Sequence, residues 1–241
     1  MDLLFGSLVI FTAYFLKGFS GFGPALVIIP FFSFLYDPAT AIAVAAVFDF
    51  ISGCILTYSV RKEIQWNFVL PVFAALGAGA LFGSLLLGII PMEILKKIIG
   101  VVIIIFAVII LFQKNGLQGT KRSAVKNLKY PVSFLGGFLG GFIGISGPPI
   151  IIYMKMMYDK KFFRNQLIGV FLLGAGWRSV LYYLNGIRMD LTLFSILLFL
   201  IVTLLALWTG NHFHSKANET VFNKVVAGLL FIPSINLIFG S

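Results

Sequence analysis

Charge is scarce in this chain. Only 11% of its 241 residues are Asp, Glu, Lys or Arg, and the acidic ones number 8 against 18 basic. Soluble domains carry about 25% charged residues, so there is too little polar surface to coat a water-soluble globule of this size. Cysteine is nearly absent: the single Cys54 excludes a disulfide framework and any cysteine-based metal cluster. Histidine is limited to His212 and His214, which share a segment with Lys216 and Glu219 and read as solvated, with pH sensing as the alternative. No paired carboxylates, HExxH run, serine–histidine arrangement or phosphate-binding loop occurs, so neither an enzyme nor an ATP-driven pump is expected, and no cofactor or metal. Met1 to Phe15 lacks a basic leader and a small-residue cleavage site, so no cleavable signal peptide is expected.

What is abundant is apolar. Hydrophobic residues make up 60% of the chain and phenylalanine alone contributes 27. A spanning helix needs about 20 mostly apolar residues. Six stretches meet that: Ala39 to Tyr58, Trp66 to Ile90, Ile94 to Phe112, Phe162 to Tyr183, Leu191 to Trp208 and Val221 to Phe239. Two longer tracts, 3–36 and 131–158, are equally apolar but interrupted by glycine and proline. The fold class expected is all-α, a polytopic protein of the lipid bilayer. Its formal charge of +10 is explained by basic loops on the cytoplasmic side of the membrane rather than by nucleic acid.

Loop charge also orients the chain. The most basic segment holds Lys114, Lys121, Arg122, Lys126 and Lys129, which places the linker 114–130 in the cytoplasm. Lys155, Lys160, Lys161 and Arg164 remain on that side only if the tract 131–158 enters the membrane and returns, as a re-entrant hairpin. The same in-and-out path for 3–36 keeps Arg61 and Lys62 inside. A single kinked crossing of that first tract moves only the N-terminus and is the alternative.

An internal repeat accompanies this path. KGFSGFGPALVIIP from Lys17 aligns with GGFIGISGPPIIIY from Gly140: Gly18 with Gly141, Phe19 with Phe142, Gly21 with Gly144 and, after one gap, Pro24 with Pro148. Tyr58 with Tyr182 and Lys97 with Lys224 keep a similar offset. Each half, 1–113 and 131–241, reads as one broken tract plus three spanning helices. That is an odd number of crossings, so the second half is inverted relative to the first, the plan of many secondary transporters.

Broken helices are costly in hydrocarbon, because each unpaired backbone group costs several kcal/mol, roughly, unless protein or a water-filled cavity surrounds it. Proline ends one helix and suits the first turn of the next. A new helix starting near Gly147 and Pro148 would present free N–H groups and a positive dipole end to an anion, with the Ser146 hydroxyl beside it. Ser20, Gly21 and Gly23 before Pro24 form the matching turn. Small-residue packing is the alternative for Gly136, Gly137, Gly140, Gly141 and Gly144, and the favoured reading for Gly77, Gly79 and Gly83.

Three ionisable residues lie inside these apolar stretches. Asp49, midway along its helix, is a candidate proton carrier or a structurally paired carboxylate. Lys17 either adds positive charge for an anion or pairs or snorkels. Arg178 either forks onto an oxyanion or anchors the outer interface beside Trp177. Asn165 and Gln166 read as an inner-mouth polar cluster or an interfacial helix start.

GFSGFGPALVIIP and GFIGISGPPIIIYM resemble the two glycine-rich repeats of the TauE/SafE sulfite exporter family, and the apolar pattern is similar over nearly the whole chain. Pro24 and the Pro148, Pro149 pair stand where that family often runs consecutive glycines. The resemblance implies transport of small sulfur-containing anions such as sulfite, thiosulfate or sulfonates across the cytoplasmic (inner) membrane, linked to a proton gradient. A passive anion channel and a non-transporting scaffold or assembly factor are the competing readings.

Overall fold

The computed structural model describes residues 2–21, 23–112, 128–213, 228, 230–231 and 233–238. Most of the expected linker 114–130, His214, and much of the expected helix 221–239 lie outside the described residues. Nine helices are delimited: α1 (Asp2–Ser20), α2 (Pro24–Phe32), α3 (Pro38–Val60), α4 (Trp66–Leu87), α5 (Met92–Phe112), α6 (Lys129–Ile143), α7 (Gly147–Met157), α8 (Lys160–Leu184) and α9 (Leu193–Phe213). Residues 233–238 are helical as well, and no strand occurs among the described residues. α1, α3, α4, α8 and α9 are each long and apolar enough to cross a membrane.

Helix starts follow local chemistry. Asp37 caps α3 by accepting from the Thr40 amide at 3.0 Å with Pro38 in the first turn, and Asp159 caps α8 by accepting from the Phe162 amide at 3.1 Å. α9 runs on past Trp208 to Phe213, beyond the end that hydropathy suggests. Its Gly210 presses against α1, where a Cβ would stand 2.2 Å from the Phe15 carbonyl oxygen, so tertiary packing supports the extra turn.

The two broken tracts fold as helical hairpins. α2 runs back along α3: Gly23 shares a cavity with Asp49, while Ile29 and Ile42 converge near Gly144. α7 runs back along α6, setting Gly140 against Ser146 and Gly136 against Ile150. The hairpins are unequal, 19 residues against 9 in the first and 15 against 11 in the second. α1 is the longer because nothing between Gly6 and Gly18 interrupts it, and at about 28 Å it has the length of a full span.

Two helix seams are built alike. α4 runs parallel to α6, with Gly79 and Gly83 over the Phe134 to Phe142 backbone and Gly137 and Gly141 over Leu76 and Ala80. α1 runs parallel to α9 in the same manner, through Gly18 and Gly210. α3 and α8 cross antiparallel: Phe50 meets Gly176, and Gly53 meets Leu172.

The distribution of side chains is that of a protein dissolved in lipid. Leu4, Leu70, Phe82, Ile89, Leu193 and Trp208 are exposed, whereas Lys17, Asp49 and Arg178 are buried. Water would reverse that preference.

Candidate anion site between the hairpin tips

Each hairpin turns on a left-handed glycine. Gly23 (φ 95°) precedes α2 and Gly144 (φ 78°) ends α6, a conformation that L side chains rarely adopt. These reversals bring both tips to one place. A cavity of about 330 Å³, counted out to its mouth, is lined by Gly23, Pro24, Asp49, Gly144, Ser146 and Arg178, with Phe171 among its apolar walls. That volume includes open solvent at the mouth, and the enclosed part is of water size in this conformation.

Three charges meet at its wall. The Lys17 ammonium, in the last turn of α1, donates to Asp49 Oδ1, to the Asp49 carbonyl at 2.9 Å and to Ser52 Oγ at 2.7 Å. Ser52 Oγ in turn donates to the Asp49 carbonyl at 3.0 Å. From the opposite side, Arg178 Nη2 reaches Asp49 Oδ2 at 3.3 Å, and Nη1 donates to the Gly144 carbonyl at 2.5 Å. Its Nε faces the Gly174 carbonyl at 3.4 Å. Arg178 thus holds the carbonyl end of α6, where a positive charge also complements the helix dipole. Tyr182 donates to the Gly140 carbonyl at 2.6 Å and braces the same end.

The residues expected at the site divide accordingly. Gly23, Pro24, Gly144, Ser146, Gly147 and Arg178 line the cavity together with Asp49. Ser146 is the N-cap residue of α7, but its side chain makes no cap hydrogen bond. Pro148 follows in the first turn of α7 and is buried. Lys17 stands behind Asp49, Ser20 bonds back to the Leu16 carbonyl at 2.7 Å, and Gly21 lies against Arg164. Arg178 is 2% exposed and turned inward, so it does not anchor an interface. Asp49 takes the paired arrangement.

Sequence reasoning did not assign Tyr14, Ser52 or Tyr182 to the site. All three were legible from helical spacing: Tyr14 lies three residues before Lys17, Ser52 three after Asp49 and Tyr182 four after Arg178, each on the same helix face. The buried Tyr14 hydroxyl has no hydrogen-bond partner among the described residues. Asn165 and Gln166 prove to be a clasp between the halves. Asn165 donates to the Glu63 carboxylate at 2.6 Å, while Gln166 accepts from the Gln65 amide at 2.8 Å and donates to the Glu63 carbonyl at 3.0 Å, tying the start of α4 to α8.

Across residues 7–237 the chain matches the family model described as Sulfite exporter TauE/SafE. It belongs to the TauE/SafE family. No curated protein and no solved structure matches it. Family membership and the five span-length helices make this a multi-pass membrane protein of a sulfur-anion exporter type, in a family of transporters rather than enzymes.

Proposed function

We propose that this TauE/SafE protein is a secondary transporter that exports small sulfur oxyanions, such as sulfite, thiosulfate or sulfonates, across the cytoplasmic membrane. The observation that carries this is the convergence of both hairpin tips on one cavity holding a buried arginine. Two helix starts without a side-chain cap, each with proline in the first turn, bring their positive dipole ends to the same place, and α2 and α7 approach it from opposite halves of the chain.

The two hairpins enter from opposite leaflets as halves of an inverted repeat. The antiparallel crossing of α3 on α8 and the matching of the α1–α9 and α4–α6 seams support this arrangement. Alternating access then amounts to rocking one half against the other about the α3–α8 crossing, opening the cavity to each side in turn. With no phosphate-binding loop in the sequence, the driving force is an ion or substrate gradient.

The test is uptake of labelled sulfite and thiosulfate into proteoliposomes containing the purified protein, with and without an imposed pH gradient. Saturable flux above protein-free vesicles is expected. Flux equal to protein-free vesicles for every sulfur anion tried would remove the transport reading, and linear non-saturating flux would replace a carrier with a channel.

A further inference from the structure

Counting charge at the cavity wall narrows the class of anion, on the assumption that the transport reading above holds. Lys17 Nζ faces three acceptors: Asp49 Oδ1, the Asp49 carbonyl and Ser52 Oγ, whose own hydrogen is spent on that carbonyl. Only an ammonium has three hydrogens to give. Even if its proton crosses to Asp49, the Lys17–Asp49 pair sums to zero. Arg178 stays protonated in proteins, so the buried triad carries one net positive charge. Its bond to Asp49 is single and long, 3.3 Å, where a fork would give two short ones. The guanidinium is therefore the unbalanced cation, and it lines the cavity while Lys17 does not.

Among the described residues no other charged side chain lines that cavity. Tyr14 on α1 lies three residues from Lys17, Tyr182 on α8 donates to the Gly140 carbonyl, and Cys54 lies on α3, and phenols and thiols are uncharged at neutral pH unless activated. α2 carries no titratable side chain, and those of α5 and α9 sit toward their ends, at Glu93, Lys96, Lys97 and His212.

We infer that the site is built for a singly charged oxyanion, with Arg178 as the binding cation and Asp49 as the fixed counter-ion of Lys17 that sets the charge preference. A bound monoanion brings the buried charge to zero, whereas a dianion leaves one uncompensated negative charge out of water, the costly case. For a weak acid such as sulfite, the transported form is then the hydrogen-bearing monoanion, with its proton on the substrate, and thiosulfate, a dianion at neutral pH, is the poorer substrate of those named above. Asp49 is a specificity determinant in this scheme, in contrast to a proton carrier.

The experiment compares methanesulfonate, a monoanion, with sulfate, a dianion, as competitors of sulfite uptake in proteoliposomes containing the whole chain. Wild type should favour methanesulfonate by about tenfold or more, a conservative figure for one unit charge within a few ångströms in a protein. Asp49→Asn raises the wall to two net charges and should shift the ratio toward sulfate by about tenfold. The double variant Lys17→Met with Asp49→Asn returns it to one charge and should restore the monoanion preference, and its apolar replacement keeps a folded comparison available if the single variant is unstable. Equal inhibition of wild type by the two competitors would overturn the inference, as would an Asp49→Asn variant with wild-type selectivity. So would methanesulfonate flux accompanied by one proton per anion, because that assigns the proton to Asp49. Absence of any sulfite flux would instead strike the transport reading itself.

Discussion

Gly137→Ala tests whether the seam between the halves positions the site. A Cβ there would stand 1.9 Å from the Leu76 carbonyl oxygen, against 3.4 Å for ordinary contact, so α4 and α6 must open by about 1.5 Å. The obstacle is backbone, which cannot swing aside as a side chain can. Alanine gains about 0.8–1.0 kcal/mol in helix propensity. Overpacking costs about 1–3 kcal/mol, and a gap of about 0.5–1 Å along the rest of the seam forfeits a quarter to a half of each contact's attraction. The loss wins because Gly79, Gly83 and Gly141 share the same approach. α6 also carries Gly144, so the tip moves with it, and a shift of about 1 Å at a binding constellation can cost about 100-fold in rate. Thermal unfolding of the detergent-solubilised protein and proteoliposome flux should both fall. Gly88→Ala, whose Cβ would meet only the Leu85 carbonyl oxygen at 3.7 Å, is the control and should be neutral. Wild-type melting and flux in Gly137→Ala would refute the claim that close approach sets the site.

Three further outcomes follow from the site geometry. Asp49→Leu leaves two buried cations unpaired and should cost about 3–5 kcal/mol, whereas Lys17→Met leaves Asp49 with Arg178 and should cost about 1–3 kcal/mol; reversal of that order in melting temperature would contradict the charge count. Gly144→Ala, at φ 78° and with a Cβ 2.4 Å from Ile29 Cδ1, should lower both stability and flux, while Gly186→Ala, at φ 75° in open space, should lose only about 1–2 kcal/mol of stability and keep its flux. Tyr14→Phe removes a buried hydroxyl without a partner, so its melting temperature should equal or exceed wild type; a drop would reveal a bond that this conformation lacks.

Much of the fold was readable because membrane helices announce themselves by length and apolarity. The starts of α3 and α8 were visible in Asp37-Pro38 and Asp159, since the capping interaction spans three residues. The start of α7 at Gly147 was visible because proline favours a first turn. The end of α9 was not, because Thr209, Gly210 and Asn211 signal a stop locally, and only α1 lying against Gly210 outweighs it. Likewise the sequence left Arg178 between an oxyanion fork and an interfacial anchor beside Trp177. Its inward rotation depends on Gly144 and Asp49, far away in the chain.

By itself, the sequence determined the solvent, the helical content, the places where helices must break and the presence of three charges with nowhere polar to go. Those properties depend on composition and on neighbours within a turn or two, where backbone hydrogen bonding and burial act locally. Which charges pair was decided only by the tertiary structure. Lys17, Asp49 and Arg178 come from three helices, and their partners are set by how α1, α3 and α8 cross, which joins Asp49 to Lys17 across 32 positions and to Arg178 across 129.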